Sequence, residues 1–86
     1  MARYFFDIHD DRLTLDEVGV ECDDLEGARR EARRALPDMA RDVLTEDGDR
    51  LRMSIVVRDE SNETVYSATL VFQGDPARPS DESRAV

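Results

Sequence analysis

The chain has 86 residues, 40% of them hydrophobic and 38% charged, with a formal net charge of −9 from 21 acidic and 12 basic side chains. That length makes one domain with a single modest core. The negative balance argues against non-specific nucleic-acid binding, which needs a clustered positive field, and against docking on an anionic membrane.

After Met1-Ala2, the segment Arg3-Tyr4-Phe5-Phe6-Asp7-Ile8-His9 reads as a strand with apolar groups on both faces. Tyr4, Phe6 and Ile8 point one way; Arg3, Phe5, Asp7 and His9 point the other. Asp10-Asp11 is turn chemistry, and Arg12 to Leu15 returns as a short second strand. Asp16 to Gly19 is a loop, with Gly19 at positive φ. Val20-Glu21-Cys22 is extended and leads into a helix.

The helix start is marked by Asp23 or Asp24 as N-cap, with Glu26 three residues after Asp23 in the manner of a capping box. At about 100° per residue, Leu25, Ala28, Ala32, Leu36, Met39, Ala40 and Val43 fall in one apolar stripe. The stripe runs from residue 24 to residue 45. It keeps its phase across Pro37, which favours one kinked helix over two separate ones, although an interior proline costs about 3 kcal/mol. Gly48 is the expected left-handed residue at the helix end.

Leu51 to Asp59 is the third strand. Leu51, Met53, Ile55 and Val57 form its inner face; Arg52, Ser54, Val56 and Arg58 form its outer one. Asn62 is the turn residue expected at positive φ. Thr64 to Phe72 is the fourth strand, with Tyr66, Ala68, Leu70 and Phe72 inward and Val65, Ser67, Thr69 and Val71 outward. Residues 74–86 hold Pro76, Pro79 and mixed charge, which is the composition of a disordered tail. The expected fold is α+β: a four-stranded antiparallel sheet, ββαββ in order 2-1-3-4, with one kinked helix on one face, over residues 1–73.

Several residues recur in a familiar order: the Arg3-Tyr4-Phe5-Phe6 opening, the Asp10-Asp11 turn, Asp16-Glu17-x-Gly19-Val20-Glu21, the helix entry Asp24-Leu25-Glu26-x-Ala28-Arg29-x-Glu31-Ala32, and Val57-x-Asp59-Glu60. Together they resemble a family of short bacterial proteins known as a domain of unknown function, over about residues 3 to 72. The resemblance brings no activity and no catalytic residues with it. Asp7 and Asn62 depart from its pattern, where histidine or another polar residue and glycine are expected.

Candidate chemistry is sparse. Cys22 and His9 are each the one residue of their type, so neither an intrachain disulfide nor a Cys/His metal site can form within one chain. His9 has no nucleophile placed beside it, and it reads as a strand-end histidine in an acidic turn. Cys22 precedes a helix N-terminus, but the acids around it oppose thiolate formation. Asp10, Asp11, Asp16, Glu17, Asp23 and Asp24 lack the spacing of a calcium loop. No catalytic residue, cofactor, metal or small-molecule ligand is expected, and the protein reads as non-enzymatic. No apolar run reaches the ~18 residues of a membrane span, and no secretory leader is evident, so a cytoplasmic location is expected.

Two surfaces remain. Phe5, Val56, Val65, Thr69 and Val71 share the sheet face away from the helix and form a candidate interface for a protein partner or a second copy, rimmed by Asp7, His9, Arg52 and Arg58. Arg30, Arg34 and Arg41 form a stripe along one helix flank. A regulator that binds nucleic acid through this stripe is the alternative reading, weakened by the absence of exposed aromatics apart from Phe5. Glu26 with Arg30 and Arg34 with Asp38 are spaced as i,i+4 ion pairs.

Overall fold

Among the described residues five strands and one helix follow in order: β1 (Ala2–His9), β2 (Leu13–Thr14), β3 (Val20–Cys22), α1 (Leu25–Asp47), β4 (Arg50–Arg58) and β5 (Thr64–Gln73). This computed structural model describes residues 1–47 and 49–75. The class is α+β, with an antiparallel sheet and one helix. The expected count of four strands is corrected to five. The sheet runs β2-β1-β4-β5, and β3 also pairs with β1, so the expected order is corrected as well.

The fifth strand follows from how the chain returns along β1. Ile8 lies opposite Thr14, and Tyr4 lies opposite Val20. The segment Leu15–Gly19 therefore spans only Phe5–Asp7 of β1. β2 and β3 are two short pieces of one interrupted edge, with a bulged strap between them. A strap that leaves the ladder must supply hydrogen-bond partners for the backbone it uncovers. Asp16 does this: its Oδ2 accepts the Phe6 N–H at 3.1 Å. Its Oδ1 accepts the Val18 and Gly19 N–H groups, each at 3.0 Å.

Alternation along β4 places Met53, Ile55 and Val57 beneath the helix, and all three are buried. On α1 the buried stripe is Ala28, Ala32, Leu36 and Ala40, each four residues from the last. Three alanines in that row let the helix backbone approach the sheet closely. The helix packs mainly on β4 and β5 and touches β3 near its start. Leu25 and Phe72 lie at the ends of their elements, beyond the covered area, and are exposed, contrary to the inward placement expected of both.

Asp24 is the N-cap: its Oδ1 accepts the Gly27 N–H at 2.8 Å, so the box built on Asp23 and Glu26 is not the cap used. Pro37 lies inside one continuous helix, on its exposed side, and its missing N–H removes the one helical hydrogen bond that would go to the Arg33 carbonyl. Asn62 and Gly19 have φ of 66° and 79°, as their turns require. Gly48 and residues 76–86, to which the helix end and most of the tail were assigned, lie outside the described residues. Gly74 donates its N–H to the Asp49 carbonyl at 2.6 Å, and Asp75 pairs with Arg50 at 3.3 Å.

Among the described residues, Gly19 combines a positive φ with a close approach that a side chain would block. A Cβ there would lie 2.8 Å from Arg3 Cγ and 2.9 Å from Phe5 Cε1, on top of the positive φ. Gly19→Ala is expected to lower stability by at least about 1–2 kcal/mol, the cost of left-handed backbone alone. Urea unfolding followed by circular dichroism measures it; a midpoint equal to that of the parent protein would refute this account of the strap.

Candidate interaction surface

Asp7 is the acid in the middle of the most apolar strand, and it is 4% exposed although it faces away from the helix. What buries it is an ion pair. Arg58, at the end of β4, donates from Nε to Asp7 Oδ2 at 2.6 Å and from Nη2 to Asp7 Oδ1 at 3.0 Å. The expectation that both residues lie on the rim of an open apolar patch is corrected by this two-pronged contact.

Arg58 reaches further. Its Nη2 also donates to the Asp16 carbonyl at 3.0 Å, and its Nη1 to Asn62 Oδ1 at 2.7 Å. The Asp16 N–H donates to Asp7 Oδ1 at 2.9 Å. The guanidinium lies over the Phe5 ring, 5.0 Å from its centre, an arrangement that favours a planar cation. One arginine thus ties together β1, β4, the strap and the β4–β5 turn.

The electrostatics follow from these contacts. The Arg58 hydrogen bond holds the Asp7 carboxyl below its ordinary value; burial opposes this, and the Asp16 N–H adds to it. Burial pushes the Asp16 carboxyl up, but the backbone N–H groups of Gly19, Phe6 and Val18, with help from Arg58, outweigh it and leave it lowered. Asp7 raises the Arg58 pKa in return.

The five residues expected to form an outer apolar patch separate into different environments. Phe5 is half-buried beneath Arg58. Val56 is half-buried between Asp7 and Ser67, its neighbours across the ladder. Val65 lies at a bulge: Arg58 pairs with Thr64 and Val57 with Tyr66, so Val65 has no partner on β4. It packs against the core cluster instead of facing outward with the others. Thr69 Oγ1 hydrogen-bonds Ser54 Oγ at 2.9 Å. Val71 stays 57% exposed. The middle of the outer face is therefore polar, and its apolar remainder sits at the β5 edge.

That edge is unusual in composition. β5 runs ten residues, Thr-Val-Tyr-Ser-Ala-Thr-Leu-Val-Phe-Gln, with no charge, proline or glycine. Its second side has no strand partner among the described residues. Val71 on the outer face and Phe72 on the inner face are both exposed near its end.

The inner face has an opening too. Because α1 lies over β4 and β5, Phe6 and Ile8 of β1 are only half covered. A trough of about 230 Å³ runs between α1 and the strap, lined by Phe6, Ile8, Val20, Ala35, Met39 and Ile55, with Asp16 and Glu31 at its margins. A second hollow shares Phe6, Ile8 and Asp16 and continues past Val18, Glu17 and Thr14.

The arginine stripe does not stand as a free cationic surface. Arg34 is paired with Glu31 at 2.7 Å, an i,i+3 contact in place of the expected i,i+4 pair with Asp38, and Asp38 pairs with Arg41 at 2.8 Å. Arg29 pairs with Glu26 at 3.1 Å and sits over the Tyr66 ring. Arg30 is exposed. His9 is exposed at the end of β1, beside the β2 turn. Burial, then Glu31, Asp23 and Asp24, push the Cys22 thiol up, away from the reactive thiolate. No described helix is long and apolar enough to cross a membrane.

The partnership of Asp7 and Arg58 escaped the sequence reading because 51 positions separate the two residues. The available signal was a single acid inside an apolar strand, which needs a cation or a hydrogen-bond donor if it is to be buried.

Removing the Asp7 carboxylate leaves Arg58 without its main partner. Asp7→Ala is expected to cost about 3 kcal/mol in a chemical-denaturation titration, by analogy with other broken, largely buried pairs. Both aspartates titrate below 3.8 when folded, so the unfolded chain binds more protons just under that value. Their contribution is complete above pH 3.8 and drains away as the pH falls. Asp7→Ala should accordingly show a shallower loss of stability over this acid range than the parent protein; parallel curves would contradict the assignment.

Residues 3–71 match the model of a protein family described as Domain of unknown function (DUF6894). No curated protein matches the chain, and no solved structure does.

Proposed function

Because the chain belongs to the DUF6894 family, whose description assigns no activity, its role has to be read from its surfaces, and we propose that it is a non-enzymatic interaction module that self-associates along β5. The observation that carries this reading is the contrast between the two edges of the sheet. Proteins protect exposed edges with short strands, bulges, charges or proline. The β2–β3 edge has the first two, in strands of two and three residues broken by the strap. β5 has one bulge, at its start, and then an uninterrupted uncharged run.

A second copy suits this edge. Two β5 strands related by a two-fold axis pair antiparallel, and each presents the same surface to the other. The pairing would join the two sheets and bring Val71 and Phe72 of each copy against apolar neighbours. The net charge of −9 opposes association at long range, but no charged side chain lies on the strand itself. Val71 and Thr69 from the outer face belong to this surface; Phe5 and Val56, near Arg58 and Asp7, do not.

Sedimentation equilibrium at micromolar concentrations tests the proposal. The parent protein should be dimeric, and Val71→Lys should raise the dimer dissociation constant by at least about tenfold, or 1.4 kcal/mol, with an unchanged circular dichroism spectrum. A parent protein that stays monomeric, or a folded Val71→Lys variant that dimerises equally well, would defeat the reading.

A further inference from the structure

The trough between α1 and the strap is separate from the β5 edge and calls for a different occupant. We propose that it binds an amphipathic helix of a partner protein, apolar on one side and flanked by lysine or arginine. The apolar floor is Phe6 and Ile8, and its walls are Val20 from β3 with Ala35 and Met39 from α1. Val20, at 45% exposure, leaves the strap side of the trough open to water, and Val18 of the adjoining hollow is 77% exposed.

Its length suits a helix. Val20 stands opposite Tyr4, and Ile8 lies four residues further along β1, a distance of about 13 Å at the rise of a strand. A helix lying along it presents about nine residues, or two and a half turns. Helix-in-groove recognition needs two or three apolar anchors over such a span.

A strand would not fit. The backbone donor that a strand would need, the Phe6 N–H, is already taken by Asp16. The helix of a second copy would not fit either, because its own apolar stripe, Ala28, Ala32, Leu36 and Ala40, is spent against its own sheet.

Charge selects the partner's flanks. Asp16 stands on the strap side of the trough, and Glu17 adds a second acid where the second hollow begins; Glu31, on the helix side, is already neutralised by Arg34 at 2.7 Å. No arginine lines either hollow. Burial opposes the charge of Asp16, but the backbone donors around its carboxyl outweigh burial and favour the charged form. A helix with a basic flank on the strap side gains from Asp16 and Glu17, while one with an acidic flank there meets like charge.

Two synthetic helices of equal length and the same leucine face, one flanked by lysine and arginine and one by glutamate, test the inference against the isotope-labelled full chain. The basic peptide should perturb the amides of Phe6, Ile8, Val20, Ala35 and Met39. It should bind at least about tenfold more tightly than the acidic one and weaken as salt is added. Val20→Arg, at a half-exposed position that tolerates a long side chain, should weaken the basic peptide by about tenfold. Binding is read at the trough and not at β5, so the result stands whether or not β5 self-associates. Equal affinity of the two peptides, no binding by either at high micromolar concentration, or perturbations confined to β5 would overturn the inference. So would concentration-dependent shifts of the same amides without peptide, which would give the trough to a second copy.

Discussion

The arrangement rests on the ion pair between Asp7 and Arg58. A carboxylate at the centre of an apolar strand is costly to bury, and it is tolerated only with a partner that satisfies both of its oxygens. Arg58 satisfies both, and the Asp16 N–H shares one of them. The guanidinium then has donors left over, and it spends them on the Asp16 carbonyl and Asn62. Because one planar group makes all these contacts, they form or fail together. A lysine could not replace it, since a point charge cannot reach the carboxylate, the carbonyl and the Asn62 amide in one geometry.

That constraint determines which surfaces remain available. It presses the strap onto β1, closing one sheet edge, and it covers Phe5, filling the apolar corner of the outer face. What is left uncovered is the β5 edge at one side and the trough beside α1 at the other. The single helix is the second cause: it is centred on β4 and β5 and cannot also shelter the β1 side of a five-stranded sheet. The two remaining openings differ in chemistry. One is an uncharged row of backbone donors and acceptors with no strand partner among the described residues; the other is an apolar hollow with Asp16 and Glu17 on its strap side.

Much of the scaffold was legible in the sequence because it depends on periodicity. Alternation identified β1, β4 and β5 and the inward set Met53, Ile55 and Val57; the helical repeat identified Ala28, Ala32, Leu36 and Ala40. Gly19 and Asn62 were legible as turn residues because positive φ restricts residue type. Periodicity does not say where an element runs past its neighbour, so Leu25 and Phe72 were placed inward and are exposed. Nor does it register a bulge, and the extra residue on β5 moved Val65 out of the expected outer row. The sequence marks Val20–Cys22 as extended but not as paired, since its three residues lie opposite Ala2–Tyr4 across a strap whose path no local pattern specifies. The pairs Asp7–Arg58 and Arg58–Asn62 depend on folded geometry, and spacing alone does not reveal them.

Amide hydrogen exchange on Arg58→Met tests most directly whether this one side chain organises the molecule. Methionine keeps much of the apolar stem and removes every donor. If the account is right, the Phe6, Asp16, Val18 and Gly19 amides lose protection together, while those of the β4–β5 ladder far from the turn stay protected. If those four amides remain as slow as in the parent protein, the strap is held by something other than Arg58, and the central claim is wrong.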